Sequence, residues 1–367
     1  IDFLMKKNKI DVLRGYGSIE SKGVVAVENE EGRTLYEADH IILATGARPR
    51  QMPFIPVDGE KIITSREALV IKELPESIVV IGSGAIGSEF AFFFAQLGVK
   101  VTIVEYLPNL MPLEDEEVSK TMERAFRKMR ATVYTGTTVK AARVNDEGRC
   151  EVDIEGKKGA ETLVADMVLA AVGIKTNTEN IGLEKVGIEL ERDKIKVDEH
   201  YQTAVEGIYA IGDLIPTPAL AHVASAEAIH CVDAICGRSP QPVDYSTIPS
   251  CVYTSPEVAS VGLTEKQATD KGIELKVGRF QFTASGKAAA AGERDGFVKL
   301  LFDAATDKLI GAHFVGMNVT EMIAEPTVSK ALGATAEVLA HTIHPHPTMN
   351  EAVMEAAEAA LGHAIHG

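Results

Sequence analysis

The sequence predicts an α/β protein that ends in an α+β segment, and three observations carry that prediction. Residues 76–105 read as strand, glycine turn, helix and strand. Two short apolar runs, Ile41-Ile42-Leu43-Ala44 and Ile208-Tyr209-Ala210-Ile211, each end in a glycine-containing tip, Thr45-Gly46 and Gly212-Asp213. After the polar, Pro-rich stretch 237–249 the chain changes to strands spaced as an antiparallel sheet between helices.

The 76–105 unit comes first. Residues 78–81 are an apolar run long enough for a buried parallel strand. Gly82-Ser83-Gly84-Ala85-Ile86-Gly87 follows directly, an apolar helix runs to Leu97, and Gly98 stops it. Residues 99–104 form the second strand and Glu105 closes it. In such a unit Gly82 makes the tight turn, Gly84 lets backbone approach a pyrophosphate, and Gly87 lets helix pack on strand. The helix start offers free N–H groups and a positive dipole end. Glu105, 18 residues past Gly87, can accept hydrogen bonds from a ribose 2′-hydroxyl. Together these read as a Rossmann-like dinucleotide unit; the bland alternative is a glycine-rich turn of another α/β protein.

The other elements follow in chain order. Residues 1–8 read as the end of a helix, and 10–16, 17–21, 23–28 and 34–38 as short strands. Residues 41–44 are a buried strand running into Thr45-Gly46-Ala47-Arg48-Pro49, where backbone can lie close to a ligand. A Pro-rich loop and a short helix over 65–71 lead to the dinucleotide unit. Beyond it, 116–129 is an amphipathic helix with acids early and bases late, as the dipole prefers. Residues 131–144 give two strands, 150–154 and 161–164 a hairpin, and 166–172 a buried strand ending at Gly173. Strands follow at 194–197 and 207–213. An acid such as Asp213 at a strand's C-terminal end is where open α/β sheets meet ligands, although Asp is also a common cap. Ala219-Leu220-Ala221-His222 leads into an Ala-rich helix, strands are expected at 249–262, 275–282, 296–303 and 309–315, and a histidine-rich stretch precedes the last helix.

Composition narrows the function classes. A net charge of −16 disfavours nucleic acid and anionic membrane surfaces as partners. No apolar run reaches membrane-spanning length. The start, Ile1-Asp2-Phe3, has neither an initiator Met nor a signal-peptide shape, and reads as though something precedes it. Four cysteines are too few for a disulfide framework, so a reducing compartment is expected: the cytoplasm, or the mitochondrial matrix in a eukaryote. Cys231 and Cys236 fall on one helix, where positions five apart rise about 7.5 Å and point apart. They read as helix thiols rather than a redox pair. No metal site is expected.

Six ordered stretches cover nearly the whole chain: Ala44-Thr45-Gly46-Ala47-Arg48-Pro49, the turn from Gly82 on to Glu89, the strand running to Gly212-Asp213, Ala221-His222-Val223-Ala224, the run from Tyr253 to Gly262, and His346-Pro347-Thr348-Met349-Asn350-Glu351. In these the sequence resembles the flavin-dependent pyridine nucleotide-disulfide oxidoreductases, most closely the branch that reoxidises dihydrolipoamide with NAD through FAD and a redox dithiol. The resemblance implies that Gly82, Ser83, Gly84, Ala85, Ile86, Gly87, Glu89 and Glu105 hold NAD, with Val139 and Gly173 at its edges. Thr45, Gly46, Asp213, Ala219, Leu220, Ala221 and His222 would touch FAD. His346 would be the general base and Glu351 its orienting partner, acting on the other subunit of a homodimer. The partner would be a 2-oxoacid dehydrogenase complex or its lipoyl protein. The implied division is 1–75 as remnant of an FAD domain, 76–195 for NAD, 196–247 as a central FAD-contacting segment, and 248–367 as the interface domain.

The departures are also informative. The family's own first glycine fingerprint and its Cys-x4-Cys disulfide are not in this sequence. The isolated chain is therefore expected to bind FAD weakly and to lack lipoamide turnover. Lys175 and Thr176 stand where many relatives have Arg and Pro. Two other readings are a glutathione reductase-like enzyme, whose NADP wants Arg rather than Glu105, and a non-enzymatic remnant that only binds NAD or dimerises.

Overall fold

Residues 1–366 are described by the computed structural model, and they divide into two units: Ile1–Arg48 with Ile174–Tyr245, and Pro49–Gly173 with Ser246–Gly367.

The second unit holds the dinucleotide motif. Its parallel sheet runs in the order Ile62–Ile63, Met167–Ala170, Ser77–Ile81, Lys100–Val104, Thr132–Tyr134. Alternate residues of a strand face opposite sides, and the core divides accordingly. Ile78 and Val80 pack with Phe94 of the helix Ala85–Gln96 and with Val118, Met122 and Phe126 of the helix Glu116–Lys128. Val79 and Ile81 pack instead on Cys150, Val152 and Ile154. Those last residues belong to a three-stranded antiparallel sheet, Thr138–Val144, Cys150–Gly156 and Gly159–Ala165.

The C-terminal part of this unit is a five-stranded antiparallel sheet in the order Pro249–Val252, Glu257–Gly262, Leu309–Gly316, Phe297–Asp303, Leu275–Gln281. The final helix, Glu351–Leu361, lies on it through Ala352, Val353, Ala356 and Ala357. At Gly278 the approach is so close that a Cβ would sit 1.8 Å from the Ala356 carbonyl oxygen.

The first unit pairs Ile41–Leu43 in parallel with Ile208–Ala210 and carries a three-stranded meander, Tyr16–Ser21, Val24–Asn29 and Gly32–Glu37. Ile19, Ile41, Leu43, Ile195, Ile208, Leu214 and Cys231 share its core.

Several expected bounds shift. Residues 10–15 form no strand, because no segment among the described residues pairs beside them. The stretch 249–262 is two strands, since Pro256 has no N–H for the ladder. The 65–71 helix is a single turn, Ser65–Ala68, and 194–197 pairs only over Lys194–Ile195. Among the described residues no helix is long and apolar enough to cross a membrane.

Candidate functional site

The glycine turn is built by close approach. A Cβ on Gly82 would lie 2.4 Å from the Ala171 carbonyl oxygen, and one on Gly87 would lie 2.0 Å from that of Gly82. Around Gly84, by contrast, a Cβ would meet nothing within 4 Å. Gly84 precedes the helix Ala85–Gln96 in extended geometry with no side-chain cap, so the first-turn N–H groups at Ala85, Ile86 and Gly87 stay available to an anion.

Glu105 is more engaged than the sequence suggests. Its Oε2 accepts from the Ser83 amide at 2.8 Å and the Ser83 hydroxyl at 2.7 Å, and its Oε1 accepts from the Leu107 amide at 2.7 Å. A carboxylate has about four acceptor positions, so roughly one remains for a ribose hydroxyl. Ser83 Oγ also accepts from the Met111 amide at 3.2 Å. The turn, the acid and the loop after it thus form one buried polar unit that fits an adenosine ribose and pyrophosphate.

Three of the other expected nucleotide residues have the following surroundings. Glu89 Oε1 accepts from the Tyr253 amide at 2.9 Å and fastens the helix to the C-terminal segment. The Val139 side chain lies in the core with Val79 and Ile81. Gly173 has φ +98°, open space around it, and a carbonyl that accepts from the Arg50 amide at 2.9 Å.

The expected flavin residues lie in the first unit. Thr45 donates its hydroxyl to the Asn177 carbonyl at 2.7 Å, and Asn177 returns its amide to the Thr45 carbonyl at 2.9 Å. The Gly46 carbonyl accepts from the Asn177 backbone at 2.9 Å. Asp213 is half-buried in the turn after Ile208–Ala210. That turn is fixed from behind: fully buried Glu227 accepts from the Gly212 amide at 2.6 Å and from the Tyr245 hydroxyl at 2.9 Å. Ala219 and Leu220 lead into the helix Ala221–Ile235, which has no side-chain cap; Ala221 and His222 form its first turn. Thr217 Oγ1 is buried without a partner. A carboxylate, an orphaned hydroxyl and an uncapped helix end on one short stretch fit a cofactor rich in hydroxyl and phosphate groups.

Sequence reasoning did not find the Asn177 clamp or its neighbour Arg48. Arg48 grips Glu179 with both arms, at 2.8 and 3.0 Å, and reaches Asn177 Oδ1 at 2.9 Å. Hydrogen bonds from Arg48 and then Lys175 hold the Glu179 carboxyl far below the usual carboxylate range. The unusual Lys175 therefore has a local partner, and Thr176 donates to the Asp193 carbonyl at 2.6 Å. A cavity of about 640 Å³ opens beside Tyr16, Thr45, Arg48 and Asn177.

The histidine-rich loop separates its three imidazoles. His346 Nδ1 donates to Glu351 Oε1 at 2.8 Å, and the Thr348 amide donates to Glu351 Oε2 at 2.8 Å. Burial would lift the Glu351 carboxyl, but these donors outweigh it and hold the group below its ordinary value. With Nδ1 committed and the side chain 79% exposed, the other ring nitrogen faces outward as the basic one. His344 is 5% exposed, and both its nitrogens face acceptors, Glu325 Oε1 at 2.7 Å and the Thr342 carbonyl at 2.8 Å. It has no nitrogen left for a substrate proton. His341 ends the exposed side of the helix Ala336–His341.

The four cysteines are free thiols. Cys231 is buried, with its thiol pushed up to about 11 by burial, while Cys236 is exposed. Among the described residues no group of three or more His, Cys, Asp or Glu side chains is placed to hold a metal ion.

Comparison with known proteins gives consistent matches. The family described as pyridine nucleotide-disulphide oxidoreductase matches residues 1–228, and its dimerisation domain matches residues 248–357. The dihydrolipoyl dehydrogenase of Chlorobaculum parvum is 47% identical over 363 residues, covering 98% of this chain and 77% of that protein. That of Bacillus subtilis is 44% identical over 377 residues, covering 100% and 79%. Among solved structures, LpdA from Mycobacterium tuberculosis superposes with a TM-score of 0.89 at 27% identity, covering 97% of this chain and 79% of that one. The HOCl-induced flavoprotein disulfide reductase RclA from Escherichia coli, as its Cu(II) complex, gives 0.89 at 25% identity, covering 97% and 82%.

Proposed function

This chain belongs to the pyridine nucleotide-disulphide oxidoreductase family, and from that premise we propose that it works as a dihydrolipoyl dehydrogenase, oxidising dihydrolipoamide to lipoamide while NAD⁺ becomes NADH and H⁺. The observation that carries the reading is the His346–Glu351 pair, held at 2.8 Å on an exposed ring. The outward nitrogen of His346 takes the proton of a dihydrolipoamide thiol, and the thiolate so formed is the nucleophile that attacks a disulfide. Glu351 steadies the imidazolium that results.

Members of this enzyme class use FAD and NAD, which when bound supply the hydride-transfer chemistry. NAD would lie on the turn Gly82-Ser83-Gly84 with its ribose at Glu105; FAD hydroxyls would meet Asp213, and its charged groups the start of the helix Ala221–Ile235. Cys231 and Cys236 are not positioned to be the enzyme's disulfide, so these residues alone should bind nucleotide without turning over dihydrolipoamide. We assign 76–195 to NAD and 248–367 to a two-fold homodimer interface; light scattering should give twice the chain mass of 39.3 kDa. The macromolecular partner is a component of a 2-oxoacid dehydrogenase complex or its lipoyl protein.

The test extends this chain with the family's flavin-and-dithiol segment and measures dihydrolipoamide-dependent NAD reduction. Turnover in the extended form and none in the original chain is the expected result. An extended, yellow protein that still fails to oxidise dihydrolipoamide would sink the reading.

Cofactor choice gives a separate expectation. A 2′-phosphate beside Glu105 sets like charges together in a partly dry site, at a cost on the order of a kcal/mol or more. NADH should bind roughly tenfold more tightly than NADPH in a fluorescence titration. Equal affinities would remove Glu105 from the ribose site.

A further inference from the structure

The C-terminal sheet carries a polar row across an apolar face. Ser260 pairs with His313, His313 with Lys299, and Lys299 with Arg279, on four adjacent strands. Residues directly opposite on neighbouring strands share a face. Lys299 is 2% exposed in a run that reads Phe297-Val298-Lys299-Leu300-Leu301-Phe302, and it is the single charge in that run.

The row is met by the start of the helix Glu116–Lys128. Lys299 Nζ lies 2.7 Å from Asp115 Oδ1 and 2.7 Å from Glu265 Oε2. Arg279 Nε lies 2.8 Å from Glu117 Oε2, and Ser260 hydrogen-bonds Glu114. Asp115 also caps its own helix, accepting from the Glu117 amide at 3.1 Å, and accepts from the Glu265 amide at 3.0 Å. A buried ion pair is weak ground for stability, because apolar groups of similar size often do as well. What such a pair fixes is position.

The position fixed here leads to the nucleotide turn. In the helix that Asp115 caps, Ser119 donates to the Met111 carbonyl at 3.3 Å. The Met111 amide donates to Ser83 Oγ, and Ser83 donates to Glu105. Met111 itself is held at φ +47°, in the left-handed region. We propose that Lys299 is a positioning residue for the dinucleotide site: through Asp115 and Ser119 it sets Met111, which holds Ser83 against Glu105, and so it maintains the preference for NAD over NADP. This rests on the reading that Glu105 takes the ribose.

The test titrates NADH and NADPH against the full chain in five forms: native, Lys299→Met, Lys299→Met with Asp115→Asn, Ser83→Ala, and Ser83→Ala combined with Lys299→Met. Asparagine still caps a helix, so the form that adds Asp115→Asn relieves the unpaired acid where Lys299→Met alone folds badly. The native chain should prefer NADH. Lys299→Met, alone or with Asp115→Asn, should weaken NADH about tenfold, the scale of a coupled polar network, while NADPH changes by less than about twofold. Adding Ser83→Ala should produce no further loss, because both changes break one chain of contacts. A loss shared equally by both nucleotides, unchanged selectivity, or full additivity with Ser83→Ala would each overturn the proposal. If the native chain shows no preference for NADH, the Glu105 reading falls first and the proposal with it.

Discussion

His346→Gln should lower dihydrolipoamide-linked turnover by roughly 10²-fold or more, the usual scale for a lost general base. Glutamine occupies similar space and can still face Glu351, yet it cannot take a proton at the outward position. The measurement belongs on the chain extended with the family's flavin-and-dithiol segment, and NADH binding should survive. Glu351→Gln should be damaging to a smaller degree. It leaves the ring in place but removes the negative charge and one of the two acceptor oxygens, so His346 Nδ1–H and the Thr348 amide can no longer both be satisfied. His344→Gln is the control. That ring is buried between Glu325 and Thr342, so its loss should cost stability before chemistry. If His344→Gln stops turnover while His346→Gln does not, the roles are misassigned.

Gly87→Ala should remove NADH binding and destabilise the chain. The added methyl would stand 2.0 Å from the Gly82 carbonyl oxygen and 3.2 Å from the Ala171 methyl. Neither is the flexible end of a side chain, so the helix start or the turn must move. Overpacking of this kind costs about 1–3 kcal/mol, a sizeable part of an ordinary domain's stability. Thermal melting should fall by several degrees, with NADH affinity at least tenfold weaker. Gly84→Ala separates ligand from fold. Its methyl meets no protein atom within 4 Å, so melting should hold while nucleotide affinity drops. Native-like NADH binding by Gly84→Ala would mean that the pyrophosphate does not lie on this turn.

What could be read from the sequence was mostly local. The strand, glycine turn, helix and strand of the nucleotide unit sit within one continuous stretch, and the elements follow from its spacing. The His346–Glu351 pair spans five positions on a loop that enters a helix, so its contact was also readable. The Lys299–Asp115 pair joins residues 184 apart, and only a lone lysine in an apolar strand hints at it. One Glu89 oxygen accepts from a backbone amide 164 residues away, a contact that no local pattern announces. Residues 10–15 show the opposite failure: extended-looking sequence without a neighbouring strand stays irregular, because a strand is completed only by its partner's hydrogen bonds. The Asn177 clamp on Thr45 was hidden for the same reason, the two lying 132 positions apart.

The three donors that hold Glu105 all come from the chain itself. A free surface carboxylate would sample several rotamers and shed ordered water when a ribose approached. This one has already given up that freedom during folding, so recognition does not have to restrict it again. The site acts as a preformed mould rather than one shaped by its guest. On the proposed assignment of Glu105 to the ribose, discrimination between the two nicotinamide cofactors is exerted at encounter, by a charge whose direction is fixed in advance.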